Sequence, residues 1–139
     1  MKKYEILDHK ADLKIRVFGK TKKELFFNAL LAMVENLEPE YSSSENPKKM
    51  KARKINLKSE SLETLLVEFL SEVLYLSQVN KEIYLKARFD KFTDNEIEAQ
   101  IFGKKVKRFN KDIKAVTYHN LNIFFRENGQ WEATILFDI

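Results

Sequence analysis

The sequence predicts an α+β fold, a two-layer domain in which two helices pack on a mostly antiparallel or mixed sheet. Three observations support this: two segments have helical periodicity, about seven segments alternate as strands do, and short turns join most of the strands. A chain of 139 residues is long enough to form one domain with a sizeable core. We therefore expect a single domain over residues 1–139, with a flexible loop at about residues 39–50.

Apolar and polar residues alternate, as in a strand, from near the amino end, and residues 4–18 are expected to form an extended segment. Residues 48–58 indicate a strand with a basic outer face, which is typical of a sheet edge. Five further strands are expected after the second helix, and an Asn128-Gly129 turn joins the last two. Their approximate bounds are 83–92, 96–102, 113–118, 121–126 and 130–139.

The two helices are predicted from their caps and their apolar stripes. The first should begin after Thr21, because Glu24 follows Thr21 at the spacing of a capping box, and it should end before Pro39. The second should begin after the cap residue Ser61 and run to about Val79. Its apolar stripe is wide enough to lie at the centre of the core.

Composition narrows the possible function classes. The sequence contains no cysteine, which excludes disulfides, thiolate nucleophiles and zinc–thiolate sites. No apolar segment reaches the roughly 20 residues of a transmembrane helix, and the amino end shows no signal-peptide core, so we expect a cytoplasmic protein. The net charge of +4 is compatible with a nucleic-acid partner but does not require one.

Two acidic residues lie at the ends of segments that could be neighbouring strands. Asp12 begins one alternating segment and Asp138 closes the last one. In each segment the acid lies on the strand face opposite to the apolar residues. If the strands are antiparallel neighbours, the carboxylates meet, and the α-carboxylate of Ile139 adds a third oxygen donor. Three oxygen donors suit a divalent cation such as Ca²⁺ or Mg²⁺. The alternative is that both acids are solvated or paired with lysine.

The remaining candidate residues do not form a recognisable enzyme active site. The only histidines, His9 and His119, have no marked nucleophile beside them. Lys114 is expected within an apolar strand, so its ammonium must either reach solvent or pair with an acid. Two basic clusters could contact phosphates, although a solvated face is the favoured interpretation. They comprise Lys48, Lys49, Lys51, Arg53 and Lys54, and then Lys104, Lys105, Lys107, Arg108 and Lys111.

Several segments resemble the archease family, and the resemblance extends from end to end. They are Tyr4-x-x-x-Asp8-His9-x-Ala11-Asp12, Lys114-Ala115-Val116-Thr117-Tyr118-His119, Phe137-Asp138-Ile139, and the helix that begins at Leu62. The resemblance implies a small α+β protein built on a strand-helix-strand-strand module. It also implies a protein cofactor, not an enzyme, that promotes guanylylation and multiple turnover of the GTP-dependent tRNA-splicing ligase. Such a protein would reach tRNA indirectly, through the ligase.

The resemblance also assigns a metal site. It corresponds to Asp12, Asp138 and the terminal carboxylate of Ile139, and calcium is the expected ion. This chain departs from the family at Lys10 and Lys14, where archeases commonly have threonine and glycine. Those two cations would either weaken metal binding by repulsion or compensate the acidic charge without a metal.

A role in ligase activation is implied for Lys114, which matches a family position. His119, Asp8 and His9 are further candidates for that role. The alternative function is a chaperone or adaptor for RNA-modifying enzymes that binds RNA or a partner through its basic face. Binding of tRNA by the isolated chain would favour that alternative.

Overall fold

The computed structural model describes residues 2–8, 11–41, 50–118 and 120–139. In these ranges the chain forms two helices, α1 (Lys22–Glu35) and α2 (Leu62–Asn80). The strands are β1 (Tyr4–Asp8), β2 (Asp12–Gly19), β3 (Pro39–Glu40), β4 (Lys51–Lys58), β5 (Glu82–Phe92), β6 (Glu96–Lys105), β7 (Arg108–Phe109), β8 (Ala115–Thr117), β9 (Ile123–Phe125) and β10 (Trp131–Asp138). The predicted α+β class is confirmed.

The described strands form three sheets, and each pair is antiparallel. The largest sheet has the order β1-β2-β10-β8, and β9 also pairs with β10. A second sheet has the order β4-β6-β5, and β3 pairs with β7 in a two-stranded ribbon. The chain order β4, α2, β5, β6 is a strand-helix-strand-strand unit, as the family resemblance implies, and β4 lies at a sheet edge as predicted.

The core lies between the helices and the inner faces of the two larger sheets. Helix α1 contacts β2 and β5, and α2 contacts β4 and β8, so each helix packs on both sheets. Phe26 of α1 and Phe69 of α2 are fully buried, and their ring centroids are 5.8 Å apart. On β10 the inner face is formed by Ala133, Ile135 and Phe137, which are also fully buried.

Both predicted helix caps are present. The Thr21 hydroxyl accepts a hydrogen bond from the Glu24 backbone N–H at 3.1 Å, and Ser61 accepts from the Thr64 N–H at 3.1 Å. The Glu24 carboxylate accepts from the N–H of Lys20 at 3.0 Å. The bonds from the Glu24 and Thr64 N–H groups satisfy donors that the first turn of a helix leaves without a partner.

Two predicted segments are organised differently in the structure. The extended segment at residues 4–18 is divided into the two paired strands β1 and β2. The predicted loop at 39–50 begins with the strand residues Pro39 and Glu40, which pair with β7, a strand that the sequence did not predict. A two-residue strand is too short to show the polar and apolar alternation of a strand, and it is defined only by its pairing with another segment. Residues 42–49 lie outside the described residues, and their flexibility stays a prediction.

None of the helices described is both long and apolar enough to cross a membrane.

Candidate functional site

The strand register places Asp12 opposite Asp138. Strands β2 and β10 are antiparallel neighbours, and the next pair in register is Leu13 with Phe137, whose side chains are buried in the core. Because successive side chains of a strand alternate between faces, Asp12 and Asp138 both point to the outer face. Directly opposed residues of such strands lie about 4.5–5.5 Å apart at their Cα atoms. The predicted adjacency of the two strands is therefore confirmed.

Both acids are exposed at the end of the sheet. On the far side of β10, Ala115 of β8 is opposite Asp138, so the row across three strands is Asp12, Asp138 and Ala115. A methyl side chain at that position leaves the acids open to solvent on the β8 side. Ile139 follows directly and is 37% exposed. The arrangement can present carboxylate oxygens to a cation or to a partner protein.

Lys114 lies at the same end of the sheet, just before β8. Its backbone N–H donates a hydrogen bond to the carbonyl of Asp138 at 2.7 Å. Its side chain is exposed, and among the described residues it has no ion pair with Asp12 or Asp138. The expectation that Lys114 lies within an apolar strand is wrong, because β8 begins one residue later. Its ammonium therefore reaches solvent without having to cross the core.

Lys14 adds a positive charge near the acid pair. It lies two residues after Asp12 on the same face of β2, opposite Leu136, and is exposed. Two strand residues span about 6.6–6.8 Å, a distance at which opposite charges in water attract by less than ~1 kcal/mol. The structure thus places Lys14 where it can modulate the charge of the acids, and the direction of its effect on metal binding stays a prediction.

Four predicted site positions lie wholly or partly outside the described residues. His9, Lys10 and His119 lie outside the described residues, as does the side chain of Asp8, whose backbone pairs with Lys14 in the β1–β2 hairpin. Within the described part of the chain, no three His, Cys, Asp or Glu side chains group as a metal site. The acid pair supplies two carboxylates, so the third oxygen donor and the metal itself stay predictions.

A cleft of about 590 Å³ lies at the same end of the large sheet and was missed by the sequence reasoning. Its lining is mostly apolar, with acidic residues among the polar ones, and comes from separate segments of the chain. The lining includes Ile6, Ala11, Leu13, Glu38, Asp112, Ile113 and Ile139. The one sequence signal for it is the apolar character of Ile6, which is 46% exposed on an edge strand.

The predicted basic clusters are partly neutralised. Arg53 forms an ion pair with the buried Glu82, at 3.0 Å between Nη2 and Oε2. Arg108 pairs with Glu40 at 3.0 Å. The Lys104 ammonium lies over the ring of Tyr41, 4.5 Å from its centroid. In the described part of the two clusters, these contacts interrupt any continuous free basic stripe.

The Arg53–Glu82 pair belongs to a buried network that sequence reasoning did not find. The hydroxyl of Tyr84 donates to Glu82 Oε1 at 2.8 Å, and Arg53 Nε donates to the same oxygen at 3.1 Å. Burial alone would raise the pKa of Glu82, but the hydrogen bonds from Arg53 and Tyr84 hold it below its usual value. Burial and the bond to Glu82 raise the pKa of the Tyr84 hydroxyl. Glu82 is therefore a charged, structural residue.

The fold and the site define a class: a small α+β protein with a strand-helix-strand-strand unit and an exposed acid pair at the end of its largest sheet. The family model described as the archease protein family (MTH1598/TM1083) matches residues 4–139. The chain therefore belongs to the archease family.

Curated relatives agree with that family. Protein archease of Methanosarcina barkeri is 40% identical over 146 residues, which cover 99% of this chain and 97% of the relative. Protein archease of Thermoplasma acidophilum is 31% identical over 139 residues, covering 98% of this chain and 93% of the relative. The family that the sequence resemblance indicated is confirmed.

Two solved structures have a similar fold. The solution structure of a Methanobacterium thermoautotrophicum protein has a TM-score of 0.68 at 25% identity, with all of both chains covered. The crystal structure of an archease from Thermotoga maritima, named as a possible chaperone, also has a TM-score of 0.68. It is 17% identical, over 97% of this chain and 96% of that one, and supports the fold alone.

Proposed function

We propose that this protein activates a GTP-dependent tRNA-splicing RNA ligase, promoting the guanylylation of that ligase and its multiple turnover. It would act as an accessory protein and not as the ligase, and tRNA would be its indirect partner. Family membership and the archease-like segments of the sequence support this proposal. The proposal includes a cytoplasmic location, where the ligase would meet its RNA.

One observation gives the proposal its site: the register that sets Asp12 opposite Asp138 on an exposed face. Two acids side by side repel each other, and the fold does not cover or pair them within the described residues. Placing like charges together costs stability, and a bound group of opposite charge would recover that cost. A cation or a basic partner group would relieve the repulsion.

The donor set fits a calcium ion in its chemistry. Asp12, Asp138 and the terminal carboxylate of Ile139 offer oxygen ligands only, and Ca²⁺ prefers six to eight oxygens, of which water or a partner would supply the rest. When bound, the ion would hold these carboxylates together and neutralise most of their negative charge. Lys14 lies on the same face, so metal affinity should rise when its charge is removed.

The protein would act as an effector that shifts the ligase between two conformations. An effector shifts a partner between two conformations only through a difference in affinity for the two. The acid pair Asp12 and Asp138, here called the acid row, lies with the neighbouring Lys114 at an exposed end of the large sheet. This end can contact the ligase. We propose that this end binds the guanylylation-competent form of the ligase more tightly than the resting form.

The test is single-turnover guanylylation of the partner ligase by GTP, with and without this protein. Asp12→Asn and Asp138→Asn should lose the stimulation while their thermal unfolding is unchanged. Asp90→Asn is the matched control, since Asp90 is an exposed strand acid in the other large sheet. If the Asp12 and Asp138 variants stimulate the ligase as well as Asp90→Asn does, the acid row is not the activating site.

Chain extension tests the Ile139 carboxylate separately. A few residues added after Ile139 convert that carboxylate to an amide, so calcium binding measured by calorimetry should weaken and ligase stimulation should fall. A matched tag on the amino end is the control. Equal activity of the two tagged proteins would contradict a ligand role for the terminus.

A further inference from the structure

The outer face of the three-stranded sheet β4-β6-β5 is an exposed surface, and it belongs to a different sheet from Asp12 and Asp138. The inner face of this sheet is formed by Ile55, Ile97 and Ile101, which are buried against the helices. On the outer face, the register sets Ala52, Phe102 and Lys86 in one row. An antiparallel sheet commonly packs one face on the core and leaves the other in water.

The next row on the same face contains Lys54, Gln100 and Arg88. Lys54, Lys86 and Arg88 are exposed, and within the described residues neither Lys54 nor Lys86 forms a salt bridge. Arg88 is paired with Asp90 at 2.9 Å. This half of the face is therefore positive through two lysines without a carboxylate partner.

The other half of the face is electrically mixed. Glu96 pairs with Lys91 at 2.7 Å and lies 3.8 Å from Lys58, near the turn between β5 and β6. Glu98 occupies the row between this turn and Gln100. Among the described residues, the lysines of this face without a carboxylate partner are Lys54 and Lys86, close to Phe102, and Lys104, whose ammonium lies over the ring of Tyr41.

Phe102 is at the centre of the positive half. It lies on the middle strand β6, half-buried, with Lys86 directly beside it on β5. Lys86 on β5 lies in the same row as Phe102, and Lys54 on β4 lies in the next row. Two strand spacings and one row offset put their Cα atoms about 12 Å apart, on either side of the ring. A shallow hollow of about 350 Å³ borders the ring and is also lined by Met50 and Arg88.

A flat ring between two free lysines matches the chemistry of a nucleobase with its flanking phosphates. Single-stranded nucleic acids bind sheet surfaces by stacking bases on aromatic side chains while lysines neutralise the backbone. A duplex has its bases already stacked and cannot use the ring in this way.

We propose that this face, defined by Lys54, Lys86, Gln100 and Phe102, is a binding site for single-stranded nucleic acid. Phe102 would stack one base, Gln100 would offer its amide to a base edge, and the lysines would contact phosphates. The site goes beyond the proposed role in ligase activation and does not depend on it. It would let the protein hold an RNA end directly, in addition to acting on a ligase.

The test is fluorescence anisotropy with labelled single strands of about 10 nucleotides, in RNA and DNA forms, and no ligase present. Between about 50 and 200 mM salt, binding should weaken with a slope that reflects phosphate contacts. Lys54→Gln with Lys86→Gln should reduce that slope by about 1.4, since each phosphate contact on a single strand contributes about 0.7. Phe102→Leu should weaken binding roughly tenfold and leave the slope unchanged.

Lys20→Gln with Lys23→Gln is the matched control, because it removes the same charge from exposed positions near the start of α1. Either ranking of RNA and DNA supports the site and assigns its ligand. The proposal is overturned if no single strand binds at low salt, if duplex binds as tightly, or if the control pair has the same effect. Absence of any nucleic-acid binding would overturn the proposal and leave a protein partner as the next occupant to test.

Discussion

Removing Arg53 from the buried network should destabilise the protein strongly. In Arg53→Met, the carboxylate of Glu82 loses two of its three hydrogen bonds while its side chain remains 1% exposed. Breaking a buried ion pair by removing one partner costs about 3–5 kcal/mol, but the Arg53 side chain is 31% exposed, so water replaces part of the lost interaction. We expect a loss of about 2–4 kcal/mol in the free energy of unfolding.

The effect should depend on pH in a defined direction. The pKa of Glu82 is held below its ordinary value of 4.5 by Arg53 and Tyr84, which outweigh the opposing effect of burial. A lowered carboxyl pKa contributes stability above the ordinary pKa, and that stability is lost as pH falls through the folded-state pKa. The difference between the wild type and Arg53→Met should therefore be full at pH 7 and should shrink below about pH 4.

Urea unfolding, followed by the fluorescence of the single tryptophan Trp131, measures the loss in unfolding free energy and its dependence on pH. Arg88→Met is the matched control, because Arg88 pairs with Asp90 on an exposed face where ion pairs contribute little. Equal small losses for the two variants at pH 7, or a difference that stays constant down to pH 3, would refute the reasoning.

Two further predictions concern packing and a raised pKa. Gly103→Ala should lower the free energy of unfolding, measured with urea, by about 1–3 kcal/mol. The added methyl carbon would lie 2.5 Å from the Tyr84 ring and 2.8 Å from the Ile83 carbonyl oxygen. A variant as stable as the wild type would show that Tyr84 moves freely. Burial and a 2.5 Å hydrogen bond to Glu35 raise the pKa of Tyr4 to about 12. Tyr4→Phe should thus lower stability at pH 7, and the difference should vanish as pH rises from 10 towards 12, whereas a gap that persists at pH 12 would contradict this.

Local features of the fold were predictable from the sequence. Thr21 and Ser61 cap the two helices as expected, because a cap needs only a hydroxyl and a backbone N–H three residues on. The parity of Asp12 and Asp138 was also predictable, since strand side chains alternate whatever the partner strand is. The strands β3 and β7 were not predictable, because each has two residues and exists through a partner about 70 residues away.

The buried charge was likewise invisible in the sequence. Arg53 belongs to a lysine-rich segment that suggested a solvated basic face, and Glu82 is an ordinary glutamate at the end of a helix–strand turn. Their contact depends on β4 and β5 both pairing with β6. Only that pairing brings the Arg53 side chain and the Tyr84 hydroxyl into hydrogen-bond contact with the buried Glu82 carboxylate.

By itself, the sequence determined the α+β class, the helices with their caps, the faces of the strands and the resemblance to archeases. The tertiary structure decided that β2 and β10 are neighbours, which sets Asp12 opposite Asp138 although 125 residues separate them in the chain. It also decided that Lys54, Phe102 and Lys86 share one exposed face. The physical reason is that side-chain alternation is a property of each strand alone, whereas strand neighbours are selected by the packing of the whole core.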